Sequence, residues 1–199
     1  MQFLFVIIIA ASLWGAYNAF VTRERDHPPG PIAVEAPVQR NIENGATFQR
    51  DRFTLKTRAK FSTTARLLRT ERYRTDAGAD ISPIDVAIGW GPMSDSALLD
   101  QLKLSQSGRF LHWTSSKQPS VPWDEINRSA ANMHVIPADS TVLKKLANAR
   151  IGDLVEIEGE LVDVTRNDGW RWNTSMTRDD QGGGACEVIY VTSVIIRSK

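Results

Sequence analysis

The chain has 199 residues, with 24 Lys and Arg against 23 Asp and Glu and a formal net charge of +1. So even a balance argues against a dedicated polyanion binder, which would carry a large basic excess. The single cysteine, Cys186, excludes an internal disulfide, so the fold is held by packing alone or the thiol pairs with another chain.

The first 21 residues carry no charged side chain. A bilayer core needs about 20 apolar residues in a helix, and Trp14, Tyr17 and Phe20 stand where aromatic rings favour the interface. No basic residue precedes the apolar run, which favours a retained transmembrane anchor over a cleaved signal peptide. The expectation is a single-pass protein of a bacterial inner membrane with its domain on the periplasmic side. Arg23 and Arg25, read by the positive-inside rule, keep the cytoplasmic side open. Residues 22–46 hold four prolines between His27 and Gly45 and no hydrophobic period, which predicts an extended linker. The remainder, 47–199, is sized for one domain with a real core.

Within that domain Phe53, Leu55, Thr57, Ala59 and Phe61 alternate with Thr54, Lys56, Arg58, Lys60 and Ser62, the two-residue period of a half-buried strand with one basic face. Residues 65–73 predict a second strand after a turn. Ile84 to Trp90 predicts a buried one, closed by Gly89, Gly91 and Pro92. Ser94 or Asp95 can cap a short helix through Leu102. A strand over 110–113, a helical turn over 122–131, a strand over 133–136 and a helix over 141–149 capped by Asp139 or Ser140 follow. Leu154 to Val164 alternates Val155, Ile157, Gly159 and Leu161 against Glu156, Glu158 and Glu160, and Asn167-Asp168-Gly169 supplies a hairpin turn. A last strand spans 185–196. Many short strands with a helix before the Gly-Asp-x-Val-x-Ile-x-Gly strand predict a mainly β (α+β) domain, a small partly open OB-like β-barrel with two or three short helices. A β-sandwich is the alternative.

Charge is uneven: Arg50 to Arg74 holds nine Lys or Arg against Asp51 and Glu71. Lys56, Arg58 and Lys60 are therefore candidate ligand-binding residues for an anionic partner. Trp170 and Trp172 share one strand face, either core or a stacking platform for sugars or bases. Asp179 and Asp180, before three glycines that let a backbone approach closely, are ligand-binding candidates that could hold a hard cation such as calcium, although EF-hand spacing is absent; a flexible hairpin loop with solvated carboxylates is the alternative. His112, His134 and Cys186 are too few and too poorly spaced for a zinc site, so no metal is expected. Nor does a nucleophile elbow, phosphate loop or dinucleotide fingerprint exist, so no cofactor and no catalytic residue is expected.

The segments GWGPMSD (89–95), LSQSGRFLHW (104–113), SAANMHVIPAD (129–139) and DGWRWNTSMTRDDQGGGACE (168–187) resemble a family of uncharacterised bacterial proteins with an N-terminal hydrophobic segment. The resemblance covers nearly all of the chain beyond Phe53. It implies the membrane location and brings no activity or site residue with it. The function expected is a membrane-anchored, non-enzymatic binding or assembly module with a protein or other anionic partner. A hydrolase-like enzyme using Cys186, His134 and the Asp179-Asp180 loop is the alternative; a nucleic-acid-binding OB-type module is the third, and a periplasmic location would exclude it.

Overall fold

The computed structural model describes residues 23–177 and 186–197. Ten strands are present among them: β1 (Val38–Asn41), β2 (Thr47–Arg50), β3 (Phe53–Arg72), β4 (Ile84–Gly89), β5 (Lys103–Ser107), β6 (Phe110–Thr114), β7 (Ala130–Pro137), β8 (Leu154–Arg166), β9 (Arg171–Trp172) and β10 (Glu187–Arg197). The helices are α1 (Ser96–Leu99), α2 (Trp123–Arg128) and α3 (Ser140–Asn148), with a 3-10 turn at Gly91–Ser94. The domain is mainly β, as the strand periodicities predict.

β3, β4, β7, β10 and β8 pair in that order, and β8 pairs back to β3, so the sheet runs in a ring. Every pairing in it is antiparallel except β7 with β10, which is parallel. Alternation puts one side chain in two inside the ring. Phe61 and Leu67 of β3, Val86 and Ile88 of β4, Val135 of β7, Ile157 and Leu161 of β8 and Val191 of β10 share the main core. Register shifts at Thr57/Ala59, Leu67/Arg69 and Val191/Ser193 mark where β3 and β10 bend to close it.

α3 follows β7 and lays Val142 and Leu146 on this core. Its start is built by Asp139, whose carboxylate accepts from the amides of Thr141 and Val142 at 2.7 and 2.9 Å. Those amide bonds also hold the Asp139 carboxyl below its usual range. The β5–β6 hairpin lies outside the ring, and Leu104, Leu111 and Trp113 pack with Leu98 of α1 and Ile126 of α2 against Leu68, Ala87 and Met93.

Three elements differ from the sequence expectation. β3 is one strand of 20 residues, with no turn before Ala65, because Ser62, Thr63 and Thr64 stay paired with Glu158, Ile157 and Glu156 of β8. The proline-rich segment lies along the domain: Ala33 is buried, Gly91 donates to its carbonyl, and β1 pairs with β3. β5, which sequence reading passed over, pairs with β6 from Lys103 to Ser107. No helix among the described residues is long and apolar enough to cross a membrane, and the apolar leader, residues 1–21, lies outside the described residues.

Candidate functional site

Ile84 to Gly89 is buried throughout, which places a carboxylate, Asp85, at 0% exposure in an apolar strand. A buried charge persists only if it is paired and hydrogen-bonded. Its directly opposed partner on β7 is His134, 3% exposed, whose Nδ1 lies 3.0 Å from Asp85 Oδ2. Asn132, two residues earlier, donates to the same oxygen at 3.3 Å.

The balancing cation arrives from the hairpin tip. Gly108 and Arg109 have φ of 58° and 74°, the left-handed pair of a tight two-residue turn. For Arg109 that conformation is strained by about 1 kcal/mol or more and persists because its contacts over-determine it. The guanidinium donates to Asp85 Oδ1 at 2.6 Å, to both oxygens of Asp76 at 2.9 Å and to the Ser82 carbonyl at 3.0 Å. It sits 3.7 Å from the Tyr73 ring centre and 5.3 Å from that of Trp172. Burial alone would raise the Asp76 carboxyl, but the Arg109 guanidinium and the amides of Gly78 and Ala79 outweigh it and hold it below the usual range. The Tyr73 phenol is pushed up by burial, against the Arg109 amide that donates to its oxygen at 2.9 Å.

Trp172 ties this cluster to an aromatic surface. Its ring centre lies 4.5 Å from that of His134, the planes tilted by 40°, and it meets Trp170 edge-on at 5.7 Å. A Cβ at Gly78 would stand 2.5 Å from the Trp172 ring, so any larger residue there must displace the ring. Phe53, Leu55, Val164 and Val188 form a second core beneath Phe48, Trp170, Trp172 and Tyr190, all four half-buried. Guanidinium groups cover this surface: Arg50 lies 5.7 Å from the Tyr190 ring centre and Arg166 5.2 Å from that of Trp170. The two tryptophans are thus packed against the second core and only half-buried.

Cys186 stands at the same end, its thiol donating to the Arg109 carbonyl at 3.8 Å. His112 lies apart on β6. The basic strand residues face elsewhere, along the β3–β8 seam. Arg58 is bonded to Asp163, and Lys60 to Glu160, while Lys56 is exposed. Burial opposes ionisation of Glu160, but Lys60 and Thr57 outweigh it and hold its carboxyl low. Lys60 lines a shallow groove with Arg40, Glu158 and Glu160, so the face is of mixed sign. Asp179 and Asp180 lie outside the described residues. Among the described residues, no three His, Cys, Asp or Glu side chains group as metal ligands would.

The structure therefore gathers Trp170, Trp172, His134 and Cys186 at one end of the ring and leaves Lys56, Arg58 and Lys60 on the β3–β8 seam. It adds Asp76, Asp85, Arg109 and Asn132, none of which stood out in the sequence. Neither a family model, nor a curated protein, nor a solved structure matches the chain.

Proposed function

We propose that the protein is a membrane-anchored, non-enzymatic binding module of the bacterial inner membrane, its domain an OB-type barrel on the periplasmic side that receives an anionic, ring-bearing ligand. The barrel reading is supported by the ring itself. Numbered along the chain, its five strands run 1-2-3-5-4 and back to 1, the third and fifth are parallel, and α3 links the third to the fourth. The observation that carries the ligand reading is the half-buried aromatic surface under Arg50 and Arg166. Flat rings take a sugar or base face while guanidinium groups take its charge. Ion pairing does not separate this surface from the β3–β8 seam, since Arg166 is bonded to Asp168 as Arg58 and Lys60 are to Asp163 and Glu160; the clustered aromatic rings do.

Trp170→Ala in the full-length protein should weaken binding of a heparin-derived acidic oligosaccharide by about 5- to 160-fold, the range of one lost stacking contact. Tryptophan fluorescence titration reads it. A wild-type protein that binds neither this probe nor a single-stranded oligonucleotide in a salt-sensitive way defeats the reading. Preference for the oligonucleotide would move the proposal to the nucleic-acid module.

The Asp85–His134 bond favours a second reading, since it orients an imidazole as a carboxylate orients a general base. Against it, the Cys186 thiol donates to a carbonyl, which stabilises the neutral form and not the attacking thiolate. Intact-mass measurement after exposure to p-nitrophenyl acetate should show no acetyl adduct on Cys186 that disappears with His134→Ala. A His134-dependent adduct would establish the hydrolase.

A further inference from the structure

The binding surface above leaves unused a cleft at the place where the leader joins the domain. Residues 25–27 are clamped there. The Arg25 amide donates to the Ile151 carbonyl at 2.7 Å, its Nε donates to Asp153 at 3.1 Å, and the His27 ring is bonded to the Gly152 carbonyl at 2.7 Å. A Cβ on Gly152, whose φ is +90°, would lie 2.4 Å from the Arg25 carbonyl oxygen, so the turn is shaped to hold this segment close. The apolar stretch ends at Val21, only four residues before Arg25. Four residues span at most about 14 Å, so a leader in the bilayer holds this clamp against the membrane surface.

Beside the clamp lies a cleft of about 470 Å³ with four cations, Arg25, Lys144, Lys145 and Arg150, against one carboxylate, Asp153. It runs along one face of α3, through Thr141, Lys144, Lys145 and Asn148, the spacing of successive turns. Asp153 is bonded to Arg25. The half-charge at the carbonyl end of α3 offsets only part of the positive charge of Lys144 and Lys145. Lys145 donates to the Val194 carbonyl at 2.9 Å, which fixes its charge at the wall, and Lys144 is exposed.

We infer that this cleft docks the anionic phospholipid headgroups of the membrane that carries the leader; the inference rests on the anchoring proposed above. Cations held within a Debye length or two of a charged surface attract its headgroups. Tether and cleft together would then fix how the domain faces the bilayer.

The test uses the full-length chain in lipid discs of phosphatidylcholine, with or without phosphatidylglycerol. Acylation of individual lysines by a succinimidyl ester is followed by peptide mass spectrometry. Lys144 should react about fivefold more slowly when phosphatidylglycerol is present, with recovery at high salt. Lys117, exposed in the loop between β6 and α2, should not change. Equal reactivity of Lys144 in both lipids, with the chain still floating on neutral vesicles, overturns the headgroup site and leaves the anchor standing. Failure to float overturns the anchor, and the inference falls with it. Protection reproduced by inorganic phosphate in phosphatidylcholine discs assigns the cleft to free anions and overturns the lipid assignment.

Discussion

Arg109→Ala should lower the free energy of unfolding by about 3–5 kcal/mol, the range for removing one partner of a buried ion pair. Asp85 is fully buried, and without the guanidinium its remaining described partners are His134 and Asn132, neither of which carries a permanent positive charge. The same change removes the bonds to Asp76 and the stacking on Tyr73. Denaturant unfolding followed by circular dichroism measures the loss, and a change below about 1 kcal/mol would mean that the network is ornamental. A double-mutant cycle separates charge from packing. Asp85→Asn combined with Arg109→Met should be less damaging than Arg109→Met alone, because no uncompensated carboxylate stays behind. The network is also a source of acid sensitivity. Asp76 has a folded-state pKa below its unfolded value, so its contribution is complete above the ordinary carboxylate pKa of about 3.9 and is lost as pH falls through the lower, folded value.

Ile157→Ala should cost about 2–5 kcal/mol, the usual range for truncating a large aliphatic side chain in a packed core. Ile157 is fully buried on β8, the strand that joins the two halves of the ring, and it pairs with Thr63 of β3 on one side and Val194 of β10 on the other. A void there loosens both seams at once. Two residues along, the opposite error is equally visible: a Cβ on Gly159 would lie 2.2 Å from the Tyr190 carbonyl oxygen, so even alanine must push β10 away. Thermal unfolding of both variants tests the point. A melting temperature near wild type for Ile157→Ala would show that the seam repacks, contrary to this account.

The strands that could be read from sequence are those with one wet face. β8 shows its alternation because Glu156, Glu158 and Glu160 punctuate it, and its hairpin is signalled by Asn167-Asp168-Gly169, where Gly169 has a φ of 91°. α3 shows its cap and stripe for the same reason. β1 and β2 were hidden because they are short edge pieces whose hydrogen bonds come from β3, a partner that local composition does not reveal. β3 was cut in two because Ser62-Thr63-Thr64 reads as polar punctuation, whereas β-branched threonine is well placed in a paired strand.

The site was half legible. Trp172, His134 and Cys186 drew attention singly, by rarity. Asp85 did not, because a lone acid between Ile84 and Val86 passes for noise in an apolar run, although that setting is what makes its burial consequential. Arg109 was invisible for a different reason: its role depends on a hairpin folding back to an acid 24 positions away. The basic stretch of β3 was plain in sequence, but its partners Asp163 and Glu160 stand on β8, far along the chain.

The parallel pairing of β7 with β10 has a consequence for the order in which the molecule can be made. β10 fills the place between β7 and β8, so synthesis must reach Arg197 before the ring can close. β3 meanwhile waits for β8, with Phe53 opposite Arg166. Contacts this distant in sequence make closure slow, and they leave the edges of β7 and β8 open while the chain is still being extended. Until the last strand arrives, those two unpaired edges are the places where a second copy of the chain could add a strand.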